Sequence, residues 1–440
     1  MGGETIAALA TPWGAGALAV IRVSGPEAVT VVDKVFRGRR PLVGMPPARV
    51  RRGAIEHEGR SIDDVLVTVF RAPKSYTGED TVEISGHGGP VVARETLRAL
   101  FSAGARPAEP GEFTRRAFLN GKMDLTQAEA VMDLIAARGA ASAEAAAAQL
   151  AGRLGREVEK LRGEALLALA HLEAFIDFPE EGIDPESGRA LLARAESLSS
   201  SILRLLGTAD EGRMLREGVR LVIHGEPNAG KSSLLNLLLG YDRAMVSEIP
   251  GTTRDTIEEN LTLRGIPFRV VDTAGLRETT DPLEAEGMRR TREHLAKADV
   301  ALRVIDGGTG GEAAAQENAI NIINKIDLWG GRDIPAGHVP LCCLDGRGLD
   351  KLVDAIVGRT HLAPSASREE ALAINARHQD CLRRAQAAVA AARSSLERGD
   401  APEFTAVELR AALTALGEIT GGSEADDVLG EIFRNFCIGK

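Results

Sequence analysis

Three short strings in the middle of the chain carry residue types and spacings suited to nucleotide chemistry. Gly225-Glu226-Pro227-Asn228-Ala229-Gly230-Lys231-Ser232 follows the strand-like run Val219 to His224 and leads into the helical pattern Ser233 to Leu239. This is G-x-x-x-x-G-K-S in the strand, loop, helix context that the motif needs. Gly225 and Gly230 let the backbone wrap phosphates with its N–H groups pointing inward, and the helix start adds positive potential. Lys231 is expected on the β- and γ-phosphates and the Ser232 hydroxyl on Mg²⁺. Taken alone, the string also suits a Gly-rich turn without function.

Two further strings in order reduce that alternative. Asp272-Thr273-Ala274-Gly275 follows the apolar run Phe268 to Val271, which puts the Asp272 carboxylate at a strand end near the metal, while Gly275 leaves room for a γ-phosphate. Asn324-Lys325-Ile326-Asp327 follows Ile320 to Ile323. A carboxylate at Asp327 can accept both N1–H and the exocyclic amine of guanine, a pair that adenine does not offer, so it selects GTP. Between the first two strings, Thr253 of Gly251-Thr252-Thr253-Arg254-Asp255 suits Mg²⁺ only when GTP is bound, the logic of a switch loop. Asn228 stands where a side-chain carbonyl can meet K⁺ against the phosphates, and Ser247 to Thr252 offers backbone oxygens for the rest of the shell. After Gly275 comes Leu276, which has no hydrogen-bonding atom to orient an attacking water. The acidic stretch that follows (Glu278, Asp281, Glu284, Glu286) reads residue by residue as solvated surface.

The flanking pattern supplies elements to hold these strings. Up to about Asn120, β-rich runs (Leu18 to Val23, Val65 to Phe70, Thr81 to Ser85) alternate with Gly and Pro turns and one helical stretch, Val91 to Ser102. From Asp124 to about Arg213, Ala, Leu, Glu and Arg with apolar residues at three and four spacing predict long packed helices, one ended at Phe178-Pro179. The run Ala140 to Leu150 reads as bundle interior. Short strands and helices return after Gly218, and Ala-rich helix from Glu369 to Leu416. The simplest organisation is an α/β domain over 1–120, a helical domain split between 121–215 and 366–440, and a nucleotide domain inserted at 216–365.

At 440 residues the chain exceeds one ordinary core, and three domains are expected. No apolar run approaches the ~18 residues of a bilayer span, and the start lacks the pattern of a secretory signal. A soluble, cytoplasmic chain with no membrane contact is expected. Cys342, Cys343, Cys381 and Cys437 lack metal or redox spacing and read as reduced thiols. A net charge of −10 argues against a chain that coats nucleic acid unaided. Charge is uneven, however: from Met1 to Arg60 nine Lys or Arg face five acids, which suits either a solvated surface or a local RNA contact.

The chain resembles the MnmE (TrmE) family of tRNA-modifying GTPases along essentially its whole length. The likeness is carried by Thr5-Ile6-Ala7, Ala10-Thr11-Pro12, Ile21-Arg22-Val23-Ser24-Gly25, Tyr76-Thr77-Gly78-Glu79-Asp80, Gly86-His87-Gly88-Gly89-Pro90, Pro110-Gly111-Glu112-Phe113-Thr114, Arg116-Ala117-Phe118-Leu119-Asn120, Asp124-Leu125-Thr126-Gln127-Ala128-Glu129-Ala130 and the tail Phe436-Cys437-Ile438-Gly439-Lys440. It implies an N-terminal α/β folate-binding and dimerisation domain, a discontinuous helical domain and an inserted Ras-like P-loop GTPase domain. It also implies a homodimer that joins an FAD-containing partner, MnmG, in a heterotetramer or larger complex. Together they would place an aminomethyl or carboxymethylaminomethyl group on carbon 5 of the wobble uridine of certain tRNAs, with a 5-formyl- or 5,10-methylene-tetrahydrofolate donor.

Carried over position by position, the resemblance puts folate contacts on Arg22, Glu83, Lys122 and Lys440. GTP contacts fall on Asn228, Ala229, Gly230, Lys231, Ser232, Ser233, Ser247, Glu248, Ile249, Pro250, Gly251, Thr252, Thr253, Asp272, Thr273, Ala274, Gly275, Asn324, Lys325, Asp327, Cys342, Cys343 and Leu344. Mg²⁺ would take Ser232 and Thr253, and K⁺ would take Asn228, Ser247, Ile249 and Thr252. Glu284 is selected to hold the attacking water, with Asn228 and Thr253 as the other catalytic positions. Two departures from the family pattern stand out. Cys342-Cys343-Leu344 replaces a Ser-Ala-Lys-like loop behind the guanine, and the Gly-rich connection from Asp306 to Asn324 leaves room for about two helical turns. A regulatory GTPase and a folate-dependent transferase with structural GTP are the competing readings.

Overall fold

The structure is a computed structural model, and the residues described are 3–177, 188–245, 258–272, 293–309, 315–360, 362, 374–422, 426–434 and 436–440. It divides into two units, Met1–Met132 with Leu150–Leu198 and Arg384–Lys440, and Asp133–Gln149 with Ser199–Arg383.

The first unit contains a seven-stranded sheet of β1 (Ile6–Leu9), β2 (Leu18–Ser24), β3 (Phe36–Gly38), β4 (Val50–His57), β5 (Arg60–Phe70), β6 (Thr81–His87) and β7 (Arg106–Pro107), in the order β3-β4-β5-β6-β2-β1-β7. Neighbours are antiparallel except β1 with β7. Residue alternation explains the layers. Ala19, Ile21 and Val23 of β2 and Val82 and Ile84 of β6 are buried in one core with residues of the helices Ala28–Val35 and Pro90–Ala103. The intervening residues, Arg22 and Glu83 among them, share the opposite face and stand directly across from one another in the register. Over β1 that face is covered: Ile6 and Ala8 pack with Phe113 of the helix Glu112–Leu119. Three helices thus occupy this region instead of the one expected. Ala28–Val35 escapes notice because Val at four of eight positions favours a strand reading, and Glu112–Leu119 is only eight residues long.

The same unit holds long helices. Arg153–Asp177 buries Leu154, Val158, Leu161, Ala165, Ala168, Leu169 and Leu172, a three and four spacing, and packs along Pro402–Thr420. The chain end folds back onto this unit. Phe433 and Phe436 join Leu125 and Ala128 in a small core. Gly439 has φ +99°, and a Cβ there would lie 2.2 Å from the Leu9 carbonyl oxygen, so glycine is what lets the tail lie against β1.

In the second unit β8 (Val219–Gly225), β9 (Glu258–Leu263), β10 (Ile266–Asp272), β11 (Val300–Asp306), β12 (Ile320–Asn324) and β13 (His338–Pro340) form a sheet in the order β13-β12-β11-β8-β10-β9. All pairs are parallel except β9 with β10. Leu221, Ile223, Leu302, Val304 and Ile322 bury one face with residues of Lys231–Met245 and Leu349–Arg359. The helix Ala140–Leu150 belongs here and is not bundle interior as its composition suggested. Ala141 lies in the core of the nucleotide sheet, and its N–H donates to Gly265 O at 3.1 Å in the β9–β10 turn. Alanine's small side chain permits that approach. In the connection after Asp306 the described residues hold one 3₁₀ turn, Gly307–Thr309, and 315–319 are not helical. Its glycines carry the highest helix cost after proline. The helix end expected at Phe178-Pro179 lies outside the described residues.

Candidate functional site

β8 delivers the chain to the phosphate loop at a point where three backbone conformations depend on residue type. Gly225 has φ +147°, and a Cβ there would sit 2.2 Å from Val304 O on β11. Asn228 is left-handed at φ 60°, a conformation that Asn tolerates better than most residues. Gly230, at φ +97°, would bring a Cβ within 2.1 Å of Asn324 Nδ2. That contact is functional in design: the buried Asn324 amide donates to Ala229 O at 2.8 Å, so the third string pins the first. Lys325 adds a second tie, with Nζ donating to Asn228 O at 2.9 Å and to Asp306 Oδ2 at 2.7 Å. The Lys325 hydrogen bond holds the Asp306 carboxyl below its usual range, against the opposing effect of burial. Asp306, at the end of β11, was not foreseen; its position at a strand end beside the third string was the available signal.

Lys231 Nζ lies within the loop, donating to Gly225 O at 3.1 Å and Glu226 O at 2.7 Å. Ser232 and Ser233 are exposed at the start of the helix, and the Ser232 hydroxyl is a hard oxygen of the kind that could hold Mg²⁺. Burial, then Arg303 and Lys231, push the pKa of His224 down, so the approach to the loop carries an uncharged imidazole. Asp272 ends β10 opposite Ile223 in the register, beside the start of the loop.

The base side is formed by the third string and the loop after β13. Cys342 is buried and its thiol donates to Asp327 Oδ1 at 3.5 Å. Cys343 N–H donates to Asn324 Oδ1 at 3.2 Å. Burial, with Cys342 adjacent, pushes the Cys343 thiol up to about 11, so it stays protonated. Leu344 is 90 % exposed. Ser247, Glu248, Ile249, Pro250, Gly251, Thr252, Thr253, Thr273, Ala274, Gly275 and Glu284 lie outside the described residues.

A second site stands in the first unit. Arg22 Nη2 and Nε donate to Glu83 Oε1 at 2.8 and 3.0 Å, and the guanidinium lies over the Tyr76 ring at 4.8 Å and the Phe113 ring at 5.7 Å. The third guanidinium nitrogen, Nη1, is buried with no hydrogen-bond partner among the described residues, a donor that a ligand can satisfy. Lys440 is close enough to feel both charges: burial first, then Arg22, lower its pKa, and Glu83 opposes them. Gly439 lies against Leu9 of β1, and Ala8 beside it stands across from Arg22, which stands across from Glu83, so the tail brings Lys440 to the neighbourhood of both. Lys122 is placed differently, with Nζ donating to Pro73 O at 2.9 Å. Two cations, one of them with an unmet donor, beside a carboxylate fit an anionic ligand with a hydrogen-bonding ring. Tyr76 and Phe113 lie within strings that carry the resemblance, but their stacking on Arg22 was not foreseen.

A sheet of this strand order, with a phosphate-wrapping loop after β8 and Asn-Lys-x-Asp at the end of β12, the second strand over from it, defines a P-loop GTPase domain. The chain matches two family models, the GTP-binding protein TrmE N-terminus over residues 5–122 and the MnmE helical domain over residues 125–437, a span that includes the nucleotide sheet. The chain belongs to the MnmE (TrmE) family. A tRNA modification GTPase MnmE from Akkermansia muciniphila is 48 % identical, covering 99 % of both chains. Relatives of the same name from Heliobacterium modesticaldum and Carboxydothermus hydrogenoformans are 44 % identical over 100 % of both chains and 42 % identical over 99 % of both. No helix among the described residues is long and apolar enough to cross a membrane.

Proposed function

We propose that this protein hydrolyses GTP with Mg²⁺ and K⁺ as one half of a tRNA-modifying enzyme. Acting in the cytoplasm as a homodimer with the FAD protein MnmG, it adds an aminomethyl or carboxymethylaminomethyl group to carbon 5 of the wobble uridine, with a tetrahydrofolate donor. The observation that carries this reading is the second site: a GTPase that served only as a switch has no use for Arg22 Nη1, Glu83 and Lys440 gathered from opposite ends of the chain.

Within the nucleotide site, Lys231 exchanges its two loop carbonyls for phosphate oxygens, and Asn324 and Lys325 hold the loop while it does so. Asp327, with one oxygen held by Cys342, turns toward guanine N1–H and its amine. Ser232 and Thr253 would hold Mg²⁺, which would supply charge neutralisation, and Asn228 with Ser247, Ile249 and Thr252 would hold K⁺. Glu284 orients water, through a bridging water because a carboxylate against phosphate is repelled. At the second site Arg22 and Lys440 bind the donor's acidic groups and Glu83 its ring N–H groups; the donor supplies the one-carbon unit. Reconstitution tests this. Undermodified tRNA incubated with this protein, MnmG, GTP, the folate donor and an amine should gain the corresponding mass at the wobble nucleoside. An unchanged nucleoside under conditions where both proteins are active would overturn the proposal.

A further inference from the structure

The charge excess near the start of the chain resolves into one local feature. Lys34, Arg37, Arg39, Arg40, Arg49, Arg51 and Arg52 follow one another with no Asp or Glu from 34 to 55, in a chain whose net charge is −10. These residues lie on and around β3, the edge strand of the first sheet, and its partner β4. Their pairing separates them into two sets. Arg37 meets Glu56 at 3.2 Å and Arg52 meets Asp64 at 2.8 Å, which neutralises both. The nearby Asp33 carboxylate is occupied by the Leu42 N–H. Arg39, Arg40 and Arg49 are exposed, and their guanidinium groups pair with no carboxylate among the described residues. Arg51 gathers them, since its Nη1 donates to Arg40 O at 3.1 Å and so ties the segment after β3 to the start of β4.

We propose that Arg39, Arg40 and Arg49 form a docking surface for the phosphate backbone of tRNA, at a sheet edge remote in sequence from every GTP-site residue. The proposal rests on the tRNA-modification reading above. Charge complementarity selects the partner. Unpaired guanidinium forks bind phosphate oxygens two at a time, and such contacts fix the position of an RNA without reading its sequence. On an otherwise acidic chain they also confine the RNA to this edge, because the remaining surface repels it.

The test measures binding of a fluorescent tRNA transcript to the full chain by anisotropy, from roughly 50 to 200 mM salt. The variants are R39E/R40E/R49E, the corresponding triple alanine, and a control with the same charge change elsewhere, K160E/R204E/R398E. The glutamate triple should lose about tenfold or more in affinity at low salt, with a salt slope shallower by roughly one unit per lost contact. The alanine triple should shift the same way by less, and GTP hydrolysis without RNA should match wild type in all. Affinity in both arginine triples equal to that of the control would overturn the proposal. So would lost binding to phosphatidylglycerol vesicles with tRNA binding intact, which would assign the edge to a membrane. Failure of the underlying reading looks different: it leaves the wobble nucleoside of a strain lacking the gene unaltered, whatever the binding curves show.

Discussion

Hydrolysis needs a group to hold the attacking water, and Leu276 at the position after Asp-x-x-Gly has none to offer. The account assigns the task to Glu284. Glu284→Ala should bind GTP nearly as well as wild type and lose roughly 10²–10⁴-fold in single-turnover hydrolysis, the cost of removing a positioned acid/base or water-orienting group. Glu278→Ala and Glu286→Ala should stay within a few-fold; equal rates in all three would place the water elsewhere. In the proposed function a second residue, Asn228, is assigned the cation preference. Asn228 holds its left-handed conformation with its carbonyl on Lys325, which leaves the side chain as the group to meet K⁺. Turnover in K⁺ should well exceed that in Na⁺, and Asn228→Ala should abolish the difference. Turnover that is the same in both salts for wild type refutes the assignment.

Between elements, charged contacts decide how the first unit is held. Glu112, buried at the start of its helix, binds Arg106 at 2.6 Å and Arg116 at 2.9 Å. Burial alone would raise its pKa, yet the Arg106 hydrogen bond, the Glu109 N–H and Arg116 outweigh it and hold the carboxyl at about 2, below its ordinary 4.5. A depressed folded-state pKa contributes stability above the unfolded value that disappears as pH falls toward the folded one. Glu112→Gln should therefore cost about 3–5 kcal/mol near neutral pH. In urea unfolding, the gap from wild type should narrow from pH 4.5 toward 2; a gap independent of pH would contradict the sign. The tail is a second such contact. Deleting Lys440 should weaken formyl-folate binding in calorimetry and leave GTP hydrolysis nearly intact, whereas equal affinities would remove it from the site. Legibility followed locality. The three nucleotide strings each announce themselves within eight residues, because the residues of each string belong to one loop at one strand end. Arg22, Glu83 and Lys440 could be joined only through the resemblance, since register and tail docking bring them together. The Ala140–Leu150 helix misled for a related reason: alanine suits any close approach, and only the Gly265 contact shows which core it serves. Arg22's stacking on Tyr76 and Phe113 has no sequence signal at all.

The whole molecule joins a GTPase unit to a unit that carries the Arg22, Glu83 and Lys440 cluster and an arginine-rich edge. Such an arrangement makes sense if GTP turnover times a reaction conducted elsewhere in the chain, with the conformational step linking the two. A protein that merely signalled by its nucleotide state would leave RNA chemistry untouched when removed. The most direct measurement is the wobble nucleoside itself: tRNA from cells lacking this gene, digested and resolved by mass spectrometry, alongside cells in which the wild-type chain has been restored. The account predicts that the aminomethyl or carboxymethylaminomethyl group on uridine carbon 5 is absent from the first and present in the second. Normal wobble-uridine modification in cells lacking the gene would contradict it.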